Sequence, residues 1–412
     1  MTPSVIAVVG ANLAGGRAAE ALRRRGFTGR IVLFGDEPHP PYERPPLSKQ
    51  ALDAGTEFEP AWLRTAEQWD DIDVELAVSE RVTGISAGRR TLETSAGRTL
   101  RADQVLLATG GRSRPLGVAG ESLPGVYHLR TYADAMLLRA ALTAGRRVVV
   151  VGGGFIGTEV AASAIAADGD VTVVEFGPVL LRRGLGRHWG GHLERVHATR
   201  GVTVVTGRAA VALHADGHGR VAQVELDDGR RLDAEVVVVG VGLVPAVELA
   251  AAAGARVTRA GVVVDQGAAT SVPGIWAAGD VTVQPVSGRP GLVRLESWQN
   301  AQDQADVAAA SMLGQPWPKR SVPWFWSDQY GLNIQIAGEL GDAGDAHVIR
   351  GDPGGTSWLA FHLVDGRVRG VLGLNRGRDI RAATRLIERG TLVRAGELAD
   401  ESVDLRRVGA AV

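Results

Sequence analysis

The residues best suited to chemistry lie between Val148 and Glu175. Gly152-Gly153-Gly154-Phe155-Ile156-Gly157 has the order G-x-G-x-x-G, and Glu175 follows 23 residues after Gly152. Glycines at this spacing have separate jobs. Gly152 permits a tight turn, Gly154 lets the backbone approach a pyrophosphate, and Gly157 lets helix and strand pack closely. A carboxylate at Glu175 suits a ribose 2′-hydroxyl and repels a 2′-phosphate, so the pattern predicts NADH rather than NADPH. A second set, Gly10-Ala11-Asn12-Leu13-Ala14-Gly15, precedes Asp36 and Glu37. Asn12 stands where the middle glycine is expected. Asparagine tolerates unusual backbone angles, but it brings a side chain close to the phosphate. Two such sets predict two dinucleotides, in redox chemistry a flavin and a nicotinamide. The alternative is a tight turn in an α/β domain that binds no nucleotide.

Composition sharpens this. The 412 residues include no cysteine, which excludes a redox disulfide, a protein-ligated iron–sulfur cluster, a thiolate zinc site and a cysteinyl–flavin bond. Of 45 basic residues only Lys49 and Lys319 are lysine. A lysine kept in so arginine-rich a chain marks a place where arginine will not serve, although codon bias accounts for the general pattern. Net charge is −1, so no nucleic-acid partner is expected, and no apolar run is long enough for a membrane span. The N-terminus runs straight into a strand without a basic leader, so a cytoplasmic location is expected. His188 and His192 are four apart, but Gly190 and Gly191 interrupt that helix and no carboxylate completes a metal site. They are expected to be solvated.

The elements that position these residues follow from periodicity. Ser4 to Val9 and Val148 to Val151 are apolar enough for strands buried on both faces. Helices are expected from about Gly16 to Arg25, after Gly157, from Glu296 to Leu313 and over Asp379–Arg389. Pro40 to Lys49 is expected to be extended and rigid, or else a plain surface loop. Gln104 to Gly111 is a strand ending in a glycine turn. In Thr270 to Asp280 the aspartate follows Gly279 at a strand end, where it can bond a ribityl hydroxyl. After the linker Pro316 to Arg320, strands over Leu332–Ala337, Ala346–Arg350 and Trp358–Leu374, with a turn at Asp365-Gly366, form an α+β segment. Arg378, Arg381, Arg385 and Arg389 fall on one side of the last helix, a basic stripe or a solvated face.

GANLAG, GDEPHPPYERPPLSK, LLATGG, GGGFIGTE, VGLVP, WAAGDV, ESWQNA and PWFWSDQY, in that order, resemble the FAD-dependent NADH:ferredoxin reductases of bacterial cytochrome P450 and Rieske oxygenase systems. PPYERPPLSK with PWFWSDQY is the specific combination. The resemblance implies an α/β fold of two Rossmann-like, glutathione-reductase-like domains plus a C-terminal α+β domain. The FAD-binding domain would be 1–114 with 243–320, the NAD-binding domain 115–242 and the third domain 321–412. It implies non-covalent FAD contacts at Gly10, Asn12, Leu13, Ala14, Gly15, Asp36, Arg44, Lys49, Val82, Ala108, Thr109, Gly110, Arg130, Gly279, Asp280, Glu296, Ser297, Trp298 and Trp326. Asp36 rather than Glu37 is chosen for the adenosine ribose. NADH contacts are implied at Gly152, Gly154, Phe155, Ile156, Gly157, Glu159, Glu175 and Gly242.

The resemblance also implies hydride transfer from NADH to FAD, then single electrons to a [2Fe–2S] ferredoxin. Lys49 and Glu159 would form an ion pair at flavin N5 and are the candidate catalytic residues; the plainer alternative is a structural salt bridge. Without cysteines, electrons leave the flavin directly. Trp326 or Trp298 would shorten that gap, or simply pack. A reductase for rubredoxin or a small acceptor, and an NADH-sensing signalling flavoprotein of the apoptosis-inducing-factor type, remain the competing functions.

Overall fold

The computed structural model describes residues 4–53, 55–286, 291–341 and 347–409. The chain divides into two compact units, one made of 1–44, 60–112 and 243–321, the other of 45–59, 113–242 and 322–412.

The first unit is built on Val5–Val9, buried from Ile6 to Val9. A strand with no polar face needs cover on both sides. It sits at the centre of a five-stranded parallel sheet in the order Ile275–Ala277, Gln104–Leu107, Val5–Val9, Arg30–Phe34, Val74–Ala77. One face is covered by the helices Leu13–Arg24 and Trp298–Met312. Small residues meet there: Ala18, Ala19 and Ala21 share a core with Ala305, Ala308 and Ala309, beneath which lie Ile6, Val8 and Trp69. The other face packs Val9, Phe34 and Leu107 with Leu92 and Leu100 of an antiparallel sheet, Val82–Ser86, Thr91–Thr94 and Thr99–Arg101. The first helix starts three residues earlier than its pattern suggests, because Asn12 caps it.

The second unit repeats this plan around Arg147–Val151. Its parallel sheet runs Thr203–Thr206, Asp170–Glu175, Arg147–Val151, Val236–Val239, Val126–His128. The helix Phe155–Ala166 follows the glycine turn, and a small antiparallel sheet, Ala210–Ala215, Val221–Leu226 and Arg231–Asp233, packs nearby. The same unit holds a five-stranded antiparallel sheet in the order Trp324–Gln329, Leu332–Gly338, Arg367–Leu374, Trp358–Val364, His347–Gly351. Ile380, Ala383 and Leu386 of the helix Gly377–Arg389 bury against it, beside Leu398. The expected strand residue Ala346 lies outside the described residues.

Two expectations need correction. Pro45–Ser48 is a short 3-10 helix rather than extended chain, since proline is accepted in a first helical turn where no N–H is required, and a second such turn, Gln50–Leu52, follows. The segment 45–59 packs within the second unit. Gly190 and Gly191 do not interrupt their helix, which runs Arg182–Thr199 and is broken in angle only at Gly186, φ +70°. Gly190 is required by contact: a Cβ there would lie 2.3 Å from the Leu180 carbonyl oxygen.

Candidate functional site

In the first unit the candidate segments converge at the carboxyl ends of the parallel strands, the usual place for a ligand in such sheets. Ala14, Ala108 and Ala301 form one small cluster with Leu13, so the Gly10 to Gly15 turn, the strand end at Ala108 and the helix capped by Ser297 meet. A Cβ on Gly279, φ +82°, would reach the Ala14 Cβ at 2.9 Å, which sets Asp280 beside the same helix. Thr109 Oγ1 donates to the Ala246 carbonyl at 2.8 Å, and Gly110 has φ +58°. Trp298 opens its helix, half-buried. Glu296 is paired with Arg294, and Val82 is buried.

Asn12 does not behave as its sequence suggests. Its backbone is ordinary extended chain, φ −129°, and its side chain turns inward. Nδ2 donates to the Ala108 carbonyl at 2.5 Å and Oδ1 accepts from Gly15 N at 3.3 Å. It therefore caps the helix and leaves Leu13 and Ala14 N–H for a phosphate.

The position matching Glu175 in this unit is Gly35, by the parallel pairings Val151 with Val174 and Val9 with Phe34. A Cβ there would lie 2.6 Å from the Ala11 Cβ, so the acid is displaced along the chain. Glu37 is spent on Tyr42 Oη and Arg44, each at 2.6 Å. Burial alone would lower the Arg44 pKa, but Tyr42, Glu37 and Asp280 outweigh it and raise it. Asp36 is exposed, 3.2 Å from Arg81.

In the second unit the glycines divide by cause. A Cβ on Gly157 would lie 1.9 Å from the Gly152 carbonyl oxygen, and one on Gly152 would lie 2.5 Å from that of Gly240. Both are demanded by the protein itself. Among the described residues a Cβ on Gly154 would meet nothing within 4 Å. Gly154 is also the N-cap of the helix Phe155–Ala166 and caps it with no side chain. An open, uncapped helix start with a glycine that packing does not require fits a bound pyrophosphate. Glu175 accepts from Gly153 N at 2.7 Å and Gly177 N at 2.6 Å. A carboxylate has about four acceptor positions, so capacity remains for a ribose. Phe155 packs on Phe325 at 4.4 Å between ring centroids, Ile156 is exposed, and Gly242 has φ +107°. Arg130 is half-buried, its backbone N–H bonded to Asp134 Oδ2 at 3.0 Å.

Lys49 and Glu159 form the expected ion pair, Nζ to Oε1 at 3.0 Å, with side-chain exposures of 10% and 4%. Lys49 Nζ also donates to the Pro45 carbonyl at 3.0 Å. An ammonium has three N–H groups, and among the described residues these two acceptors leave one unspent. That unspent N–H fits an acceptor atom of a bound cofactor.

Sequence reasoning missed what holds Glu159. Ser48 Oγ donates to Oε2, and Ser327 Oγ donates to Oε1 at 2.6 Å. Ser327, Gln329 and His197 are all buried, and His197 bonds Gln329 at 2.7 Å and Tyr330 at 2.8 Å. Burial pushes His197 down to about 4, against a smaller raising effect of the Gln329 bond. The available signal was the alternation in PWFWSDQY, which puts Ser327 and Gln329 on one face and Trp324, Trp326 and Asp328 on the other. Trp326 stacks on Trp324 at 5.0 Å. His188 is exposed, and half-buried His192 packs edge-on to Trp189 and Trp358 instead of being solvated.

Residues 4–305 match the family model described as pyridine nucleotide-disulphide oxidoreductase, and residues 324–409 that described as reductase C-terminal. The rhodocoxin reductase of Rhodococcus erythropolis is 39% identical over 401 residues, 97% of this chain and 93% of that one. The anthranilate 1,2-dioxygenase system ferredoxin–NAD(+) reductase component of Burkholderia cepacia is 42% identical over 409 residues, 98% of this chain and 99% of that one. The crystal structure of the covalent putidaredoxin reductase–putidaredoxin complex matches with a TM-score of 0.93 at 36% identity, covering 99% of this chain and 98% of that one.

Proposed function

We propose, for a chain that belongs to the pyridine nucleotide-disulphide oxidoreductase family, the activity of an FAD-dependent NADH:ferredoxin reductase. Bound FAD supplies the exchange between a two-electron donor, NADH, and the one-electron [2Fe–2S] cluster of a ferredoxin. The chain supplies position and charge. The glycine turn at Gly154 and the carboxylate of Glu175 hold and select NADH. Asn12, Asp36 and Asp280 serve the FAD, and the remaining N–H of Lys49 is offered to the flavin. We assign FAD binding to 1–114 with 243–320, NAD binding to 115–242 and partner docking to 321–412.

The observation that carries the choice of acceptor is the lack of cysteine in this family's fold. No thiol can take the electron pair, so it must leave the flavin directly. The relatives named as ferredoxin reductases support the same acceptor. Among the described residues no helix is long and apolar enough to cross a membrane. We place the enzyme in the cytoplasm with its NADH supply, which cell fractionation checks.

The test mixes holoenzyme, NADH and an added [2Fe–2S] ferredoxin. Rapid, catalytic reduction of the ferredoxin is expected. Transfer only to rubredoxin or a small acceptor would reassign the partner. A long-lived reduced complex with negligible turnover would favour the signalling role.

A further inference from the structure

Every hydrogen in the buried chain around Glu159 points the same way. Thr158 Oγ1 donates to the Gly154 and Phe155 carbonyls at 3.1 and 3.0 Å, so its oxygen accepts from Gln329 Nε2 at 3.0 Å. That fixes the Gln329 amide: Nε2 also serves Ser327 at 2.9 Å, and Oε1 faces His197. His197 Nε2 therefore carries the ring hydrogen, and Nδ1 accepts from the Tyr330 hydroxyl. Ser327, accepting from Gln329, spends its own hydrogen on Glu159 Oε1. The order Tyr330, His197, Gln329, Ser327, Glu159 has a donor at each step. It ends on the Glu159 carboxyl group, which accepts at Oε1.

The strand carrying this chain is built for it. Phe325, Ser327 and Gln329 share one face, and Phe325 lies on Phe155 at the start of the Glu159 helix. Tyr330 sits at φ +55° in a two-residue hairpin turn with Gly331 at φ +72°. That turn favours Asn-Gly, and a bulky side chain in the left-handed region is strained. The Tyr330 hydroxyl bond to His197 accounts for a tyrosine there.

We propose that Ser327 and Gln329 are positioning residues for the Lys49–Glu159 pair. They hold the Glu159 carboxylate so that Lys49 is drawn from one side only and keeps its third N–H for the flavin. The inference rests on the role proposed above for Lys49. Without Ser327, Glu159 Oε1 is left to Lys49 alone and draws the ammonium more strongly to itself.

Ser327→Ala removes the donor and Ser327→Thr returns a hydroxyl. The readouts are the flavin midpoint potential of the holoenzyme and the rate constant of flavin reduction by NADH. Ser327→Ala is expected to lower the potential and slow reduction about threefold to thirtyfold. The NADH dissociation constant should stay within about twofold, and Ser327→Thr should restore both readouts. In a Glu159→Gln background, Ser327→Ala should add less than about twofold, because both act through one contact. A wild-type potential in Ser327→Ala, or full additivity with Glu159→Gln, overturns the proposal. Lys49→Met is the control. If it leaves the potential unchanged, the role of Lys49 fails and takes the proposal with it. If it lowers the potential while Ser327→Ala does not, the positioning role alone fails. Should Ser327→Ala not fold, Gln329→Met breaks the chain one link earlier with the same expected signs.

Discussion

Gly154→Ala and Gly157→Ala should separate a glycine kept for a ligand from one kept for the fold. At Gly157 a methyl would start 1.9 Å from the Gly152 carbonyl oxygen and 3.3 Å from a Val150 methyl. Backbone must move by more than an ångström, and overpacking of this kind costs about 1–3 kcal/mol or more. At Gly154 the backbone has φ −78° and ψ −178°, which alanine adopts freely, and among the described residues the new methyl meets nothing within 4 Å. Two small terms then oppose each other. Reduced freedom of the unfolded chain favours alanine by about 0.4–1 kcal/mol, and the poorer N-cap disfavours it by about 1 kcal/mol. Net stability should change by less than about 1 kcal/mol. In a chain this long, that is a melting shift of about 2 °C or less, against a clear loss for Gly157→Ala. NAD+ and ADP-ribose titrations should show the reverse order. Gly154→Ala should weaken both ligands about tenfold or more, because its methyl fills the space a pyrophosphate needs. Wild-type affinity for ADP-ribose in a well-folded Gly154→Ala enzyme would refute the assignment of this turn.

NADH should be preferred over NADPH. Glu175 is tied to two backbone N–H groups and cannot swing away from a 2′-phosphate, so equal kcat/KM for the two would contradict this, as would compensation by Arg182 and Arg183. Lys49→Met should slow flavin reduction by NADH roughly tenfold to a thousandfold in stopped flow, with FAD retained; an unchanged rate would leave a structural salt bridge. His197 is held near 4, below the ordinary 6.5, so the unfolded chain binds its proton first as pH falls. Stability from this group is full above about pH 6.5 and is lost towards pH 4, by up to about 3 kcal/mol. His197→Gln should flatten the melting temperature over that window. Arg378, Arg381, Arg385 and Arg389 are all exposed on one helix. Reversing two of these charges should raise the KM for an acidic ferredoxin and reduce its salt dependence, and an unchanged KM at low salt would mark a plain solvated face.

What the sequence disclosed was local. VVVVGGGFIG names its own strand, turn and helix, because the glycine spacing and the valine run act over a few residues. Lys49 stood out by composition, but its pairing with Glu159 came only through family resemblance, since the two lie far apart in the chain. The support of Glu159 stayed hidden for the same reason. A serine and a glutamine in an aromatic strand look like ordinary alternation until the helix they face is known. Asn12 misled in the opposite sense: judged by backbone tolerance, it works through its side chain, capping Gly15 N and bonding the Ala108 carbonyl, which only the folded strand ends bring near. Gly190 resembled a helix breaker because its neighbour, the Leu180 carbonyl, is a tertiary contact.

The two helix starts also differ in how they keep time with catalysis. Asn12 closes the first with an internal bond to Gly15, whereas Gly154 leaves the second bare. A resident cofactor needs its berth intact throughout, but a nicotinamide departs on every cycle. Each departure should hand the amides of Phe155, Ile156 and Gly157 back to water, while Gly15 stays shielded. Amide hydrogen exchange would then flicker at one turn with NAD+ occupancy and remain slow at the other, a difference between tenancy and traffic written in a single side chain.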